Sequence, residues 1–88
     1  MDTDRGQEYS SELLVAQALL YYDNSMCDKV VSIGEQVSEE SLANRSKQMF
    51  YNVMYDCYAR VGNEDLSNQY FEKLYDLSDM MSGEEFYQ

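Results

Sequence analysis

The stretch Tyr58-Ala59-Arg60-Val61-Gly62-Asn63-Glu64-Asp65-Leu66-Ser67-Asn68-Gln69-Tyr70-Phe71-Glu72-Lys73-Leu74 decides the fold. Before it, Met49, Phe50, Val53, Met54, Cys57 and Tyr58 recur at helical spacing; after Gly62-Asn63, Leu66, Tyr70, Phe71, Leu74 and Leu77 do the same. Glycine just past such a run is a helix stop, because it enters the left-handed region without the steric penalty of a Cβ. A connection this short folds the second helix back antiparallel on the first. The stretch therefore predicts a helical hairpin.

Upstream the same pattern returns. A first helix is expected from about Ser11 to Asp23, with Leu13, Leu14, Ala18 and Tyr21 on one stripe and Ser10 or Ser11 as its N-cap. A second opens at Ser25-Met26-Cys27-Asp28, close to a capping box, and carries Cys27, Val30, Val31, Ile33, Gly34 and Val37 inward. Ser38, followed by Glu39 and Glu40, is read as the cap of a long third helix reaching about Val61. The fourth runs from after Asn63 to near Met81. Ser82-Gly83-Glu84-Glu85-Phe86-Tyr87 has the form of a further capping box and predicts a short C-terminal helix. The fold class is all-α, an α-α superhelix of two antiparallel helical hairpins in a single domain over 1–88. Unit one spans about 11–37, unit two about 40–81, and a tail covers 82–88.

The two hairpins are in register. Laying Tyr21-Tyr22-Asp23-Asn24-Ser25 over Tyr58-Ala59-Arg60-Val61-Gly62, a shift of 37 residues, brings Leu13 to Phe50, Leu14 to Tyr51, Ala18 to Tyr55, Val30 to Ser67 and Val37 to Leu74. A hairpin that cannot bury its apolar face alone stacks on a neighbour, and arrays of this kind normally need about three units. The chain is therefore expected to belong to a longer array or to self-associate.

Tyr58, Gly62, Ser67, Phe71 and Leu74 stand at the offsets of the central part of a tetratricopeptide repeat, which the second unit resembles. In the first unit Tyr21, Ser25, Val30, Gly34 and Val37 take the same places, with Ala18 at the close approach of the two helices. Ser25 replaces the turn glycine, Val30 and Tyr55 are larger than the family's usual residues, and Gly34 is smaller. The 37-residue spacing resembles the longer-helix regulatory type. The resemblance implies a non-catalytic protein-protein interaction module. It places Glu12, Val15, Leu19, Tyr22 and Asp23 of the first unit, and Met49, Asn52, Asp56, Ala59 and Arg60 of the second, on a concave partner-binding face. The candidate site is Val15, Leu19, Tyr22, Asp23, Met49, Asn52, Asp56 and Arg60. Val15, Leu19 and Asp56 stand where chaperone-tail binders of the family carry Lys and Asn. The expected partner is instead a protein or peptide that is basic or neutral and carries an apolar anchor.

Composition narrows the function further. The 88 residues hold 17 acidic and 6 basic side chains, a formal net charge of -11, so nucleic acid and anionic membranes are repelled. A mean hydropathy of -0.60 leaves no membrane span. Without histidine, neither cysteine has its usual activating base, and no glycine-rich phosphate loop occurs. No catalytic residue, metal or cofactor is expected. An EF-hand beginning at Asp23 fails, because the sixth residue is Asp28 and the twelfth Gly34. Cys27 and Cys57, thirty residues apart, read as separate buried thiols. With no secretory signal in Met1-Asp2-Thr3-Asp4-Arg5-Gly6, they point to a reducing, cytoplasmic setting. Two alternatives remain: an acyl-carrier-like acidic bundle modified at Ser41 of Glu40-Ser41-Leu42, and a structural segment that homodimerises through its C-terminal hairpin.

Overall fold

A computed structural model describes the backbone of residues 2–86 and the side chains of residues 11–81. Among the described residues four α-helices follow one another: α1 (Asp2–Asp23), α2 (Cys27–Gly34), α3 (Asn44–Arg60) and α4 (Glu64–Phe86), with a 3₁₀ turn (Glu39–Ser41) between α2 and α3. They form two antiparallel hairpins, α1/α2 and α3/α4. Helix α3 is the centre of the molecule, packed against α4, α2 and α1.

The turns inside the hairpins are the same structure. Met26 N–H donates to the carbonyl of Tyr21 at 2.9 Å and Ser25 N–H to that of Tyr22 at 3.0 Å. Thirty-seven residues on, Asn63 N–H donates to Tyr58 at 2.9 Å and Gly62 N–H to Ala59 at 3.2 Å. Both are Schellman closures, which require a left-handed residue just past the helix. Ser25 has φ 61° and Gly62 φ 88°. The helix starts beyond the two turns differ. Asn63 Oδ1 accepts the N–H of Leu66 at 3.2 Å and caps α4, whereas Met26 precedes α2 with no side-chain cap. The capping role expected of Ser25 is absent because its backbone is committed to the turn.

The core joins the hairpins through Val15, Ala18, Val30, Phe50, Val53, Met54 and Cys57, each under a twentieth exposed. Gly34 lets α2 approach α3, since a Cβ there would collide with Sδ and Cε of Met54. Every ring pair among the described residues lies within the second hairpin: Tyr70 stacks on Tyr58 at 5.7 Å and meets Phe50 edge-on at 5.9 Å.

The junction between hairpins departs from the expected long third helix. Helix α2 stops at Gly34, and the N–H of Ser38 donates to Ser11 Oγ at 3.1 Å instead of opening α3. Leu42, extended at φ -91° and ψ 144°, turns its side chain into the core and is 6% exposed. Helix α3 therefore begins at Asn44. Its first turn is capped by Glu12 of α1, whose carboxylate accepts the Ala43 N–H at 3.3 Å and the Ser46 hydroxyl at 2.8 Å. Ser11 lies inside α1 and is buried, so it is no N-cap.

Two further expectations are corrected. Helix α4 runs unbroken to Phe86, so Ser82-Gly83-Glu84-Glu85 starts no new helix. One glycine costs a helix only about 1 kcal/mol, too little to break it. The side chains of this tail lie outside the described residues. The buried arc of α1 is rotated from the expected stripe because α1 meets both α2 and α3: Val15 and Ala18 centre it, and Leu13 is 62% exposed. Met49 and Phe71, expected inward, are also exposed.

Candidate functional site

Helices α1 and α3 lie side by side, and on the face they share, residues from the two hairpins meet. The Tyr22 hydroxyl donates to Asp56 Oδ2 at 2.5 Å across 34 residues of sequence. One turn along α3, Arg60 Nη2 pairs with the same oxygen at 3.1 Å, and its guanidinium lies 5.8 Å from the Tyr22 ring centre. Asp56 thus receives a phenol and a guanidinium on one oxygen. The hydrogen bond it donates to Asp56 is the main reason the Tyr22 hydroxyl titrates above its ordinary value, with burial adding to it. Tyr22 is held neutral and aimed, its ring edge half-buried, while the Arg60 side chain is 54% exposed.

Along α3 the face continues through Asn52 and Met49, which share the stripe of Asp56 by helical periodicity and are both exposed. Asp23 is exposed beside Tyr22. Of the candidate residues, Tyr22, Asp56 and Arg60 are in direct contact, and Asp23, Met49 and Asn52 lie open around them. Val15 and Leu19, expected to offer apolar groove surface, do not. Val15 is 3% exposed within the core, and Leu19 packs against that core half-buried. The reason is the rotated arc of α1, which turns these positions toward α3.

A second constellation has no counterpart among the expected sites. Glu39, in the 3₁₀ turn, holds Lys73 Nζ of α4 at 3.1 Å and accepts the Tyr51 hydroxyl of α3 at 3.0 Å. Lys73 lies over the rings of Tyr70 at 5.0 Å and Tyr51 at 5.7 Å. Burial, reinforced by Glu39, pushes both phenols up to about 12. No sequence signal marks this clasp. Had Glu39 belonged to a continuous third helix, twelve residues at 1.5 Å rise would have set it about 18 Å from Tyr51.

Cys27 and Cys57 are joined in a disulfide, with Cα atoms 5.1 Å apart. This corrects the expectation of two separate thiols: α2 and α3 converge here, and the bond ties the first hairpin to the second. Ser41 ends the 3₁₀ turn, three residues before α3 begins, and its hydroxyl donates to the Ser38 carbonyl at 2.9 Å. Among the described residues no three His, Cys, Asp or Glu side chains gather as metal ligands do. No helix among them is long and apolar enough to cross a membrane.

No family model, curated protein or solved structure matches this chain.

Proposed function

We propose that this chain is a non-catalytic protein-interaction module of tetratricopeptide-like design whose binding face is the surface shared by α1 and α3. The observation that carries the reading is the Tyr22-Asp56-Arg60 network, which fixes the first helices of the two hairpins at one point and surrounds it with open polar and apolar side chains. An aromatic ring and a guanidinium held in place are the residue types that dominate binding energy at protein interfaces, because little rotamer freedom remains to be lost. With Asp23 and Asp56 beside them in a chain of net charge -11, the fitting partner is a peptide or helix that is basic or neutral and carries an apolar anchor.

The partner is sought by selecting a random peptide library on the whole chain and counter-selecting on Tyr22→Ala. Enriched sequences with an apolar residue flanked by Lys or Arg, bound about 5- to 100-fold more weakly by Tyr22→Ala, support the reading, that loss corresponding to roughly 1–3 kcal/mol. Binding should weaken as salt rises. Peptides that bind Tyr22→Ala as well as the parent chain exclude this face. A cytoplasmic placement goes with this proposal only where the Cys27–Cys57 pair is reduced, since disulfides persist in oxidising compartments.

A further inference from the structure

The outer face of α4 is built differently from the α1/α3 face. Phe71 and Tyr75, one helical turn apart, are 47% and 64% exposed, and Tyr55 of α3 extends the patch by meeting the Phe71 ring at 5.3 Å. By helical periodicity Glu64, Glu72 and Asp79 lie on the same side of α4, and all three are exposed. The sequence of α4 contains seven carboxylates against one cation, Lys73, and that lysine is taken by Glu39. The result is an aromatic strip bordered by negative charge.

We infer that this strip is a second docking surface, and that its occupant is a basic amphipathic helix of another protein. Two aromatic anchors about 6 Å apart along α4 match side chains at i and i+3 or i+4 of an opposing helix. Carboxylates along the strip's border match Lys or Arg flanking that helix's apolar stripe. A second copy of this chain does not fit, because symmetric pairing would set Glu72 and Asp79 against carboxylates of the other copy. The inference stands apart from the α1/α3 face: the residues are different, and either surface works without the other.

The probe is a synthetic 18-residue peptide of Leu and Lys arranged with helical period, titrated into the intact chain at low salt. Backbone amide shifts in NMR locate the site, and fluorescence anisotropy of the labelled peptide measures affinity. Shifts centred on Phe71 and Tyr75, at least a tenfold loss in Phe71→Ala and a similar loss in Tyr75→Glu support the inference. Tyr75 is so exposed that its variant tests the surface without disturbing the fold. Shifts centred elsewhere, equal affinity in both variants, or a dimer by sedimentation with Phe71 and Tyr75 at its interface overturn it.

Discussion

The two hairpins close with the same turn and are held together by different chemistry. In the second, α3 and α4 are long, and Tyr51, Tyr55, Tyr58, Tyr70 and Phe71 interlock between them, so the hairpin carries its own core. In the first, α2 is only 8 residues, uncapped at its start, and presents Val30 and Gly34 to the second hairpin. A helix that short is unstable alone, since nucleation is costly and few bonds repay it. The first hairpin is therefore held by what it touches. A cross-hairpin disulfide and the Glu12 cap on α3 tie it to its neighbour, and the Ser11–Ser38 bond fixes the junction between them. One repeat pattern can thus be maintained by aromatic packing in one copy and by tethering in the next.

The largest expected effect breaks the tether. Closing a loop of 30 residues is worth about 3–4 kcal/mol through the unfolded chain, so reduction, or Cys27→Ala with Cys57→Ala, should lower stability by about that amount. Urea unfolding with and without reductant measures it. Hydrogen exchange sharpens the comparison: after reduction the amides of α2 should lose protection before those of α3 and α4. Two reactive thiols in the unreduced, denatured chain would show that no such tether exists.

Alkaline pH should act chiefly on the other hairpin. Tyr51 and Tyr70 titrate near 12 in the folded chain against about 10 when unfolded, and Tyr58 is also raised, by burial first. Below pH 10 the phenols are neutral in both states and their contribution is complete. Between pH 10 and 12 the unfolded chain ionises while the folded one resists, so stability falls as pH rises. Chemical denaturation across pH 8–12 should show a plateau and then this fall, and Tyr51→Phe should make the fall shallower. A profile unchanged in Tyr51→Phe would mean that the ring cluster is not closed to solvent.

The hairpins are legible in the sequence because their signals are local. Gly62 and the helical spacing around it depend on residues one or two turns apart, the 37-residue repeat shows that local pattern twice, and the hydrogen bonds of the two turns match along that shift. The constellation at Tyr22, Asp56 and Arg60 is legible only in part. The repeat places its residues on one face, but nothing local shows that an oxygen of Asp56 meets both other side chains. The junction is illegible for the opposite reason. Ser38-Glu39-Glu40 carries a good local cap signal, and tertiary partners override it: Ser11 takes the Ser38 amide, Leu42 finds the core, and Glu12 caps α3 at Ala43. The disulfide is hidden because the spacing of Cys27 and Cys57 in sequence does not report that α2 and α3 converge.

The smallest effects compare the turns themselves. Gly62 occupies the left-handed region with nothing within 4 Å of where a Cβ would be, so Gly62→Ala tests backbone strain alone. It should cost about 1–2 kcal/mol. Ser25 holds the equivalent position at φ 61° and already bears that strain. Ser25→Gly relieves it, while glycine also gives the unfolded chain more freedom to lose. The difference leaves a gain of about 0.5–1 kcal/mol, less than the cost at Gly62. Urea midpoints of the two variants should thus move in opposite directions with unchanged slope. Because Ser25 has no capping bond to lose, its variant removes only the Cβ and hydroxyl from an exposed turn. If Ser25→Gly destabilised the chain, the first turn would be contributing something the second does not, and the shared closure of the two hairpins would be a likeness of geometry without a likeness of energetics.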